Sequence, residues 1–189
     1  MNERCIIKND DVVEWANWYN NFGENQGNCL LNTYEWLVNQ DGEINEDYGD
    51  GNTALHFACR DGFNEVIKFL LNNGAEIDRK NDCGMTPIFY VGNFIDTPDT
   101  LELMIEKGAD LHLVDDLGDN ILHNAVMMQS TKCVKFLLNY INPFLMNNDR
   151  KSAIDLSFEN GLEDIFKDAE KEGLFNDFKE LPELVRDRI

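Results

Sequence analysis

Three histidines are the side chains of this 189-residue chain best suited to metal binding or proton transfer. His56 and His123 each follow a residue of helix-capping type, Thr53 and Asn120, by three positions. His112 lies in GADLHLVDD, a segment of loop composition, without a second imidazole or thiol at the spacing of a zinc site. The acids around it also lack the DxDxDG order of a calcium loop. The histidines therefore predict neither a metal centre nor a catalytic base.

The chain carries no motif of a known catalytic chemistry. A phosphate-binding GxxxxGK[ST] loop, a GxGxxG turn, a GxSxG nucleophile turn and an HExxH zinc helix are all absent from it. Because 36 residues are Asp or Glu, close pairs of carboxylates arise by chance and carry little weight for acid–base catalysis. We therefore expect a protein that is not an enzyme, with no cofactor and no metal.

The charge balance restricts the class of partner. Lys and Arg number 16 against those 36 acids, which gives a formal net charge of −20. That charge argues against a protein that binds nucleic-acid phosphates or adsorbs to an anionic membrane. An apolar content of 43% is too high for a disordered acidic tail. The composition predicts a folded protein whose partner is a basic protein.

The cysteines predict reduced thiols rather than disulfides. They are odd in number, form no CxxC pair and are scattered along the chain, at Cys5, Cys29, Cys59, Cys83 and Cys133. No apolar run has the length of a signal peptide or of a membrane span. We expect a cytoplasmic protein, or one in the host cytoplasm if the chain is a secreted effector.

A period near 33 residues organises the chain. Four short segments align, and their fourth positions are 33, 34 and 32 residues apart, at Thr53, Thr86, Asn120 and Ser152. Each of these side chains can accept a backbone N–H at a helix start. An amphipathic stretch follows each of them, at 65–74, 100–108, 132–140 and 162–173. The pattern predicts two short helices in each unit, joined by a tight turn and followed by a polar loop.

The segment DGNTALHFACRDGFNEVIKFLLNNGAEID at 50–78 resembles the ankyrin-repeat consensus, DGxTPLHxAAxxGxxxVVxxLLxxGAD. The resemblance continues in GMTPIFYVGN, LELMIEKGADL, GDNILHNAV and VKFLLNYINP, and covers about residues 47–173. It implies an all-α repeat solenoid, an array of helix–turn–helix units with hairpin-like loops, capped at both ends. It also implies that His56 and His123 hydrogen-bond neighbouring loops, and that Gly74 and Gly108 end their helices in a left-handed conformation.

The resemblance divides the chain into six parts. They are an N-terminal helical capping unit (1–46), the first repeat (47–79), the second repeat (80–113), the third repeat (114–145), a degenerate C-terminal capping repeat (146–173, the last repeat) and a tail (174–189). The capping unit contains four large aromatic residues, Trp15, Trp18, Tyr34 and Trp36. We expect them to form a hydrophobic core within that unit, and a separate binding patch or self-association are the alternatives. The sequence of the tail predicts a short helix that ends before Pro182. The tail either docks on the array or hangs free, and a secretion or partner signal is the alternative use.

Two repeats depart from the consensus. In the second repeat Phe89 replaces the histidine, and GNFIDTPDT has one residue more than the regular turn, so we expect a bulge before the second helix. The third repeat reads NYINPF where the family has Gly-Ala in its closing turn. Two interpretations of the second repeat are open: it has degenerated, or it has become specialised for a partner.

Partner contacts in the family concentrate on loop tips and on the outer turn of each first helix, which form one concave face. Mapped onto this chain, the resemblance implies a partner-binding set made of Asp50, Asn52, Arg60, Asp61, Met85, Tyr90, Asn93, Phe94, Leu117, Asp119, Met127, Met128 and Asp149. We expect acidic members of this set to surround an apolar contact centre, which consists of Met85, Phe94, Leu117, Met127 and Met128. The alternative is that Phe94 and Met128 fold inward.

The sequence thus favours a non-catalytic protein–protein interaction module that binds a basic cytosolic protein through the concave face. A sharper hypothesis is an inhibitor or immunity-type partner that occludes a basic toxin or enzyme. An effector that sequesters a host protein, an acidic mimic of nucleic acid, and an enzyme or modifier that uses the tail are the alternatives. Self-association is left undecided.

Overall fold

The computed structural model describes residues 44–91, 96 and 98–174. Within these ranges the chain forms helices and no strand, apart from one isolated antiparallel bridge between Met146 and Ser152. The helices are α1 (Ala54–Asp61), α2 (Asn64–Asn72), a 3₁₀ helix (Pro87–Tyr90), α3 (Asp99–Glu106), α4 (Ile121–Met127), α5 (Thr131–Leu137), α6 (Ala153–Asn160) and α7 (Glu163–Lys171). The predicted all-α repeat solenoid is confirmed. The N-terminal capping unit up to residue 43, with its aromatic cluster, and residues 175–189 lie outside the described residues.

The first helices of successive repeats stack in a row, with the second helices packed behind them. Helix α1 contacts the 3₁₀ helix, the 3₁₀ helix contacts α4, and α4 contacts α6. One hydrophobic core runs through all four units, and small residues such as Ala58 and Ala125 are buried in the row of first helices. A single unit could not enclose its apolar face, so the stack supplies the core that each repeat lacks.

Capping residues begin the first helices as the sequence predicts. Thr53, Thr86, Asn120 and Ser152 all have extended backbone angles at the N-cap. The Asn120 Oδ1 accepts hydrogen bonds from the amides of Leu122 (3.0 Å) and His123 (3.1 Å). The predicted left-handed glycines are present too, since φ is +94° at both Gly74 and Gly108. Local sequence therefore sets where these helices start and stop.

The second repeat differs from its neighbours in its first helix. The predicted short helix is present as a 3₁₀ helix of four residues, which ends where Val91 adopts an extended backbone. Phe89 occupies the position of His56 and His123, and a phenyl ring has no nitrogen to complete the capping box. The hydroxyl of Thr86 is consequently buried without a hydrogen-bond partner. Of the bulge expected at 92–97, only Asp96 lies within the described residues.

Backbone hydrogen bonds connect the tips of successive hairpin loops, and we call this series of bonds the tip ladder. Each loop is first closed on itself, as in the 2.9 Å bond from the Asn81 amide to the Met85 carbonyl. One amide of the next tip then donates to a carbonyl of the preceding tip. The N···O distances are 2.9, 3.1 and 3.0 Å for Asp82 to Asp50, Asp116 to Cys83 and Asn148 to Leu117.

Three glycines make the tip ladder possible. Gly51, Gly84 and Gly118 have φ of +73°, +76° and +76°, in the left-handed region. A Cβ at these positions would lie 2.7, 2.8 and 3.0 Å from the backbone nitrogen of the next tip. Side chains are therefore excluded by the neighbouring repeat as well as by the local backbone.

We predict that Gly84→Ala lowers the free energy of unfolding by about 2 to 4 kcal/mol, because it adds a clash with Asp116 to left-handed backbone strain. Gly108→Ala is the matched control: its φ is also positive, but nothing lies within 4 Å of the added Cβ. We expect it to cost about 1 kcal/mol. Urea unfolding followed by circular dichroism measures both values, and equal losses would contradict the role given to the tip ladder.

We predict that Thr86→Val leaves the free energy of unfolding unchanged or raises it by about 1 kcal/mol, because it removes a buried hydroxyl that has no partner. The control is Thr53→Val, which removes a hydroxyl 3.0 Å from His56 Nδ1 at the same helix position. This control should lose about 1 to 2 kcal/mol. Thermal and urea unfolding of the two variants compare them directly, and a larger loss for Thr86→Val would count against the unpaired hydroxyl.

Candidate partner-binding surface

The third repeat presents three large apolar side chains to solvent. Leu117 at the hairpin tip is 65% exposed, while Met127 and Met128 at the end of α4 are 37% and 47% exposed. Helix α4 stops there because Gln129 takes a left-handed backbone, with φ of +56°. The predicted exposure of these three residues is confirmed, and the alternative that Met128 folds inward is wrong. We call these three exposed residues the apolar centre of the candidate surface.

Met85 was expected to join this centre, but its side chain is half-buried and packs against the hydrophobic core. Its carbonyl is engaged as well, since it lies 3.3 Å from the Nε2 of His56 in the first repeat. Met85 immediately precedes the N-cap Thr86, so it lies where the loop closes onto the helix row. Phe94 and Asn93, the other members from the second repeat, lie outside the described residues.

Two predicted contact residues, Asn52 and Tyr90, form a polar network between the first and second repeats. The Tyr90 hydroxyl donates to Asn52 Oδ1 (2.8 Å), and Asn81 Nδ2 donates to the same oxygen (2.9 Å). The edge of the Tyr90 ring also meets the His56 ring, with 5.5 Å between centroids. Burial raises the pKa of Tyr90, and the hydrogen bond that its hydroxyl accepts from Asn81 Nδ2 (3.0 Å) only partly offsets this. The side chain of Asn52 is buried, so its polar atoms are committed to joining repeats.

Asp119 serves the same purpose between the third and last repeats. It is buried, and its Oδ1 accepts a 2.7 Å hydrogen bond from Asn147 Nδ2. Its own amide donates to Asp115 Oδ1 (2.9 Å). Asn81 and Asn147, which the sequence reasoning missed, are 66 residues apart and match the 67-residue separation of Asn52 and Asp119. That shared period was the signal that could have identified both pairs as structural.

Arg60 and Asp61 form an ion pair at the end of α1, where the third repeat has its two methionines. Arg60 Nε lies 2.7 Å from Asp61 Oδ1, and a second nitrogen lies 3.0 Å from Oδ2. The guanidinium also covers the Phe57 ring at 5.1 Å from its centroid. Both charges are partly buried and largely neutralise each other. This part of the predicted surface is compact and close to neutral, in contrast to the third repeat.

Exposed acids line the tips on either side of the apolar centre. Each of the four hairpins carries one, namely Asp50, Asp82, Asp116 and Asp149. Asp50 and Asp149 were predicted as contact residues, whereas Asp82 and Asp116 were missed. Because the tip ladder joins these loops, their carboxylates form a row along one edge of the stack. A basic segment would find complementary charge there.

The buried histidines hold loops in place, as the resemblance implied. His56 Nδ1 accepts from the Thr53 amide (3.0 Å), which leaves Nε2 protonated to donate to Met85. His123 repeats this geometry with the Asn120 amide (3.2 Å) and the Lys151 carbonyl (3.2 Å). Burial lowers the pKa of His56 to about 4 and also lowers that of His123. Neutral imidazoles thus join successive repeats.

The described residues contain no other obvious chemistry. Among them no group of three or more His, Cys, Asp or Glu could hold a metal ion, and no helix is long and apolar enough to cross a membrane. None of the described cysteines forms a disulfide: Cys59 and Cys133 are buried, while Cys83 is exposed. Burial raises the pKa of the Cys59 thiol, and burial with the nearby Asp96 raises that of Cys133 to about 12. The two buried thiols are therefore packing groups.

Asp96, in the irregular turn of the second repeat, was missed by the sequence reasoning. Its carboxylate accepts from the amides of Lys132 and Cys133 at 3.0 Å, at the start of α5 in the third repeat. Burial pushes the pKa of Asp96 upward, but these hydrogen bonds outweigh burial and lower it. The departure from the consensus thus carries a structural contact between repeats.

Comparison with known proteins agrees with this architecture. A family profile described as ankyrin repeats, in three copies, matches residues 24–93 and 92–168. The chain is 36% identical over 138 residues to tyrosine-protein kinase HTK16 of Hydra vulgaris, a match covering 68% of this chain and 18% of the kinase. It is 30% identical over 116 residues to a transient receptor potential channel A1 homologue of Caenorhabditis elegans, covering 61% and 9%. A putative ankyrin repeat protein of Rickettsia bellii is 32% identical over 78 residues, covering 41% and 33%. In each case the chain spans a third or less of the relative's length.

We predict that stability falls between pH 6.5 and 5 partly through His56. Its folded-state pKa of about 4 lies below the unfolded value of 6.5, so the unfolded chain takes up the proton first. The stabilising contribution is complete above pH 6.5 and is lost as the pH falls toward 4, with a slope of up to about 1.4 kcal/mol per pH unit.

His56→Gln should therefore be less stable at pH 7.5 but show a shallower slope of unfolding free energy against pH. The exposed His112, changed to Gln, is the control and should keep the slope of the natural chain. Urea titrations at half-unit pH steps measure both slopes. A His56→Gln variant with the natural slope would refute the assignment.

Proposed function

Since this chain belongs to the ankyrin-repeat family, whose repeats are protein–protein interaction modules, we propose that it binds a basic protein through the tips and first helices of its stack. The ankyrin fold is generally a non-catalytic interaction fold, and relatives with enzyme names share only a small part of their length with this chain. We propose the same non-catalytic role here. The observation that carries the proposal is the apolar centre formed by Leu117, Met127 and Met128.

Core packing does not account for these three side chains, since each is exposed in the stacked array. At the positions equivalent to the methionines, the first repeat has Arg60 and Asp61 and the last repeat has Glu159 and Asn160. Burying the exposed part of each side chain in a complex would contribute on the order of 1 to 2 kcal/mol before association costs. Methionine adapts to irregular surfaces, which suits a contact centre.

The row of tip acids supports a basic partner. Asp50, Asp82, Asp116 and Asp149 are exposed along one edge of the stack, next to the tip residue Leu117. Across the full chain the net charge is −20, so a cationic protein would be attracted from a distance. We propose that the acids raise the association rate and that the apolar centre slows dissociation.

An inhibitor or immunity-type role fits this arrangement, because a short acidic array can cover the basic site of a toxin or enzyme. Sequestration of a host protein by an effector would use the same surface. We also propose a reducing, cytoplasmic setting, since the described cysteines, Cys59, Cys83 and Cys133, form no disulfide.

We predict that changing Leu117, Met127 and Met128 together to Ser weakens partner binding at least tenfold and leaves the urea midpoint nearly unchanged. The matched control changes three equally exposed apolar residues at the base of the hairpins, Val114, Leu145 and Met146, to Ser. The partner is isolated by affinity capture with the natural chain and identified by mass spectrometry. Its Kd is then measured for the three purified chains by isothermal titration calorimetry.

Equal loss of affinity in both triple variants would overturn the assignment of the apolar centre. The salt dependence of the association rate tests the acids separately. We expect a steep fall in that rate between 50 and about 300 mM salt, and a further fall when Asp82 and Asp116 are changed to Asn. A salt-independent rate would exclude steering by the tip acids.

A further inference from the structure

The last repeat has an apolar position that is covered in the other repeats. Phe158 on α6 is 50% exposed, whereas the equivalent Cys59 and Val126 are 0% exposed. The Cys59 Sγ lies 3.6 Å from the Sδ of Met104 in the following repeat, which shows that this position faces forward along the stack. We call the side of a repeat that points toward the next repeat its forward face. This face is covered at the equivalent positions of the first and third repeats and is open around Phe158 in the last repeat.

The second helix of the last repeat shows the same difference. Ile165 on α7 is only half-buried, while Val66 and Cys133 at equivalent positions are fully buried. Both helices of the last repeat thus carry an apolar side chain that is more exposed than its equivalents in the first and third repeats. Apolar side chains of this size on an end face predict a covering element.

Two residues of the last repeat, Arg150 and Asp155, argue against a further ankyrin repeat as the covering element. Arg150 has a φ of +60° at the position of the three tip-ladder glycines, where a Cβ meets the next tip at 3.0 Å or less. Asp155 replaces the histidine that donates to the next repeat, and a carboxylate cannot donate to a carbonyl. Its Oδ2 instead accepts from the Ser152 hydroxyl at 2.7 Å, within its own helix start. The last repeat is thus built to end the tip ladder.

Helix α7 ends just before the tail begins, close to the core. Gly173 takes a left-handed φ of +79°, and the Leu174 amide bonds the Ala169 carbonyl at 3.0 Å, which ends the helix. Leu174 then packs against the core. Phe158 lies one tight turn before α7, so a returning segment must run the length of that nine-residue helix, about 13 Å. Residues 175–189 can span about 22 Å even if fully helical.

We propose that residues 175–189 pack across the forward face of the last repeat, with Phe158 as the central contact. The segment has apolar residues on both sides of Pro182: Phe175, Phe178 and Leu181 lie before it at the three-residue spacing of a helix face, and Leu184 and Val185 follow it. Its charges are mixed, with four acids and three bases, so it would meet little of the repulsion that an all-acidic segment would. The tail is then the cap of the array and leaves the surface of the third repeat free.

A mutant cycle in the full-length chain tests the contact. The four proteins are the natural chain, Phe158→Ser, a tail variant with Phe175, Phe178 and Leu181 changed to Ser, and the combination. We expect Phe158→Ser to lower the urea midpoint of the natural chain, and this shift to shrink by at least half in the tail variant. Leu145→Ser, at a similarly exposed position of the third repeat, is the control and should give the same shift in both backgrounds.

A photocrosslinking measurement avoids dependence on folding of the variants. Benzoylphenylalanine placed at position 158 should crosslink to residues 175–189 of the same chain, as mapped by mass spectrometry of the monomer band. Additive midpoint shifts in the mutant cycle would overturn the proposal. So would crosslinks joining two copies, together with a dimer in light scattering that Phe158→Ser abolishes, because a second copy would then cover the face.

Discussion

The close approach of neighbouring hairpin tips is the contact on which the rest of the stack depends. A backbone amide of one loop reaches a carbonyl of the preceding loop at 2.9 to 3.1 Å, and glycines at the tips are what allow this distance. Because the bonds join main-chain atoms, they fix the separation and register of the repeats. The first helices then meet at a distance where small residues such as Ala58 and Ala125 close the core.

Polar side chains inside the stack also hold the repeats in register. His56 and His123 satisfy their own helix starts with one ring nitrogen and the next repeat with the other. Asn81 and Asn147 do the same for the hairpins. Each buried group has to find partners on both sides, since an unpaired one costs free energy. The second repeat shows the consequence of losing a hydrogen-bond partner, because Phe89 replaces the histidine and leaves the Thr86 hydroxyl without a hydrogen bond.

The repeats are therefore alike in their interior and unlike on their surface. At equivalent positions the first repeat presents an internal ion pair and the third presents two methionines. The irregular turn of the second repeat supplies Asp96 to the helix start of the third, so part of its departure from the consensus is structural. Within the described residues, the large exposed apolar groups on the tips and first helices are Leu117, Met127 and Met128 of the third repeat and Phe158 of the last repeat.

The sequence by itself determined the repeat period and the four N-caps, because each depends on a local pattern with a fixed spacing, and its resemblance to the ankyrin consensus implied the left-handed glycines and the loop contacts of the histidines. It also identified Leu117, Met127 and Met128 as exposed, since the consensus places no core demand on them. It could not separate Asn52, Tyr90 and Asp119 from true surface residues. Their burial comes from hydrogen bonds across repeats, between residues 28 to 38 positions apart, which no local pattern records. Only the tertiary structure decided which polar groups face a neighbouring repeat and which face solvent, because that choice depends on how closely the tips approach.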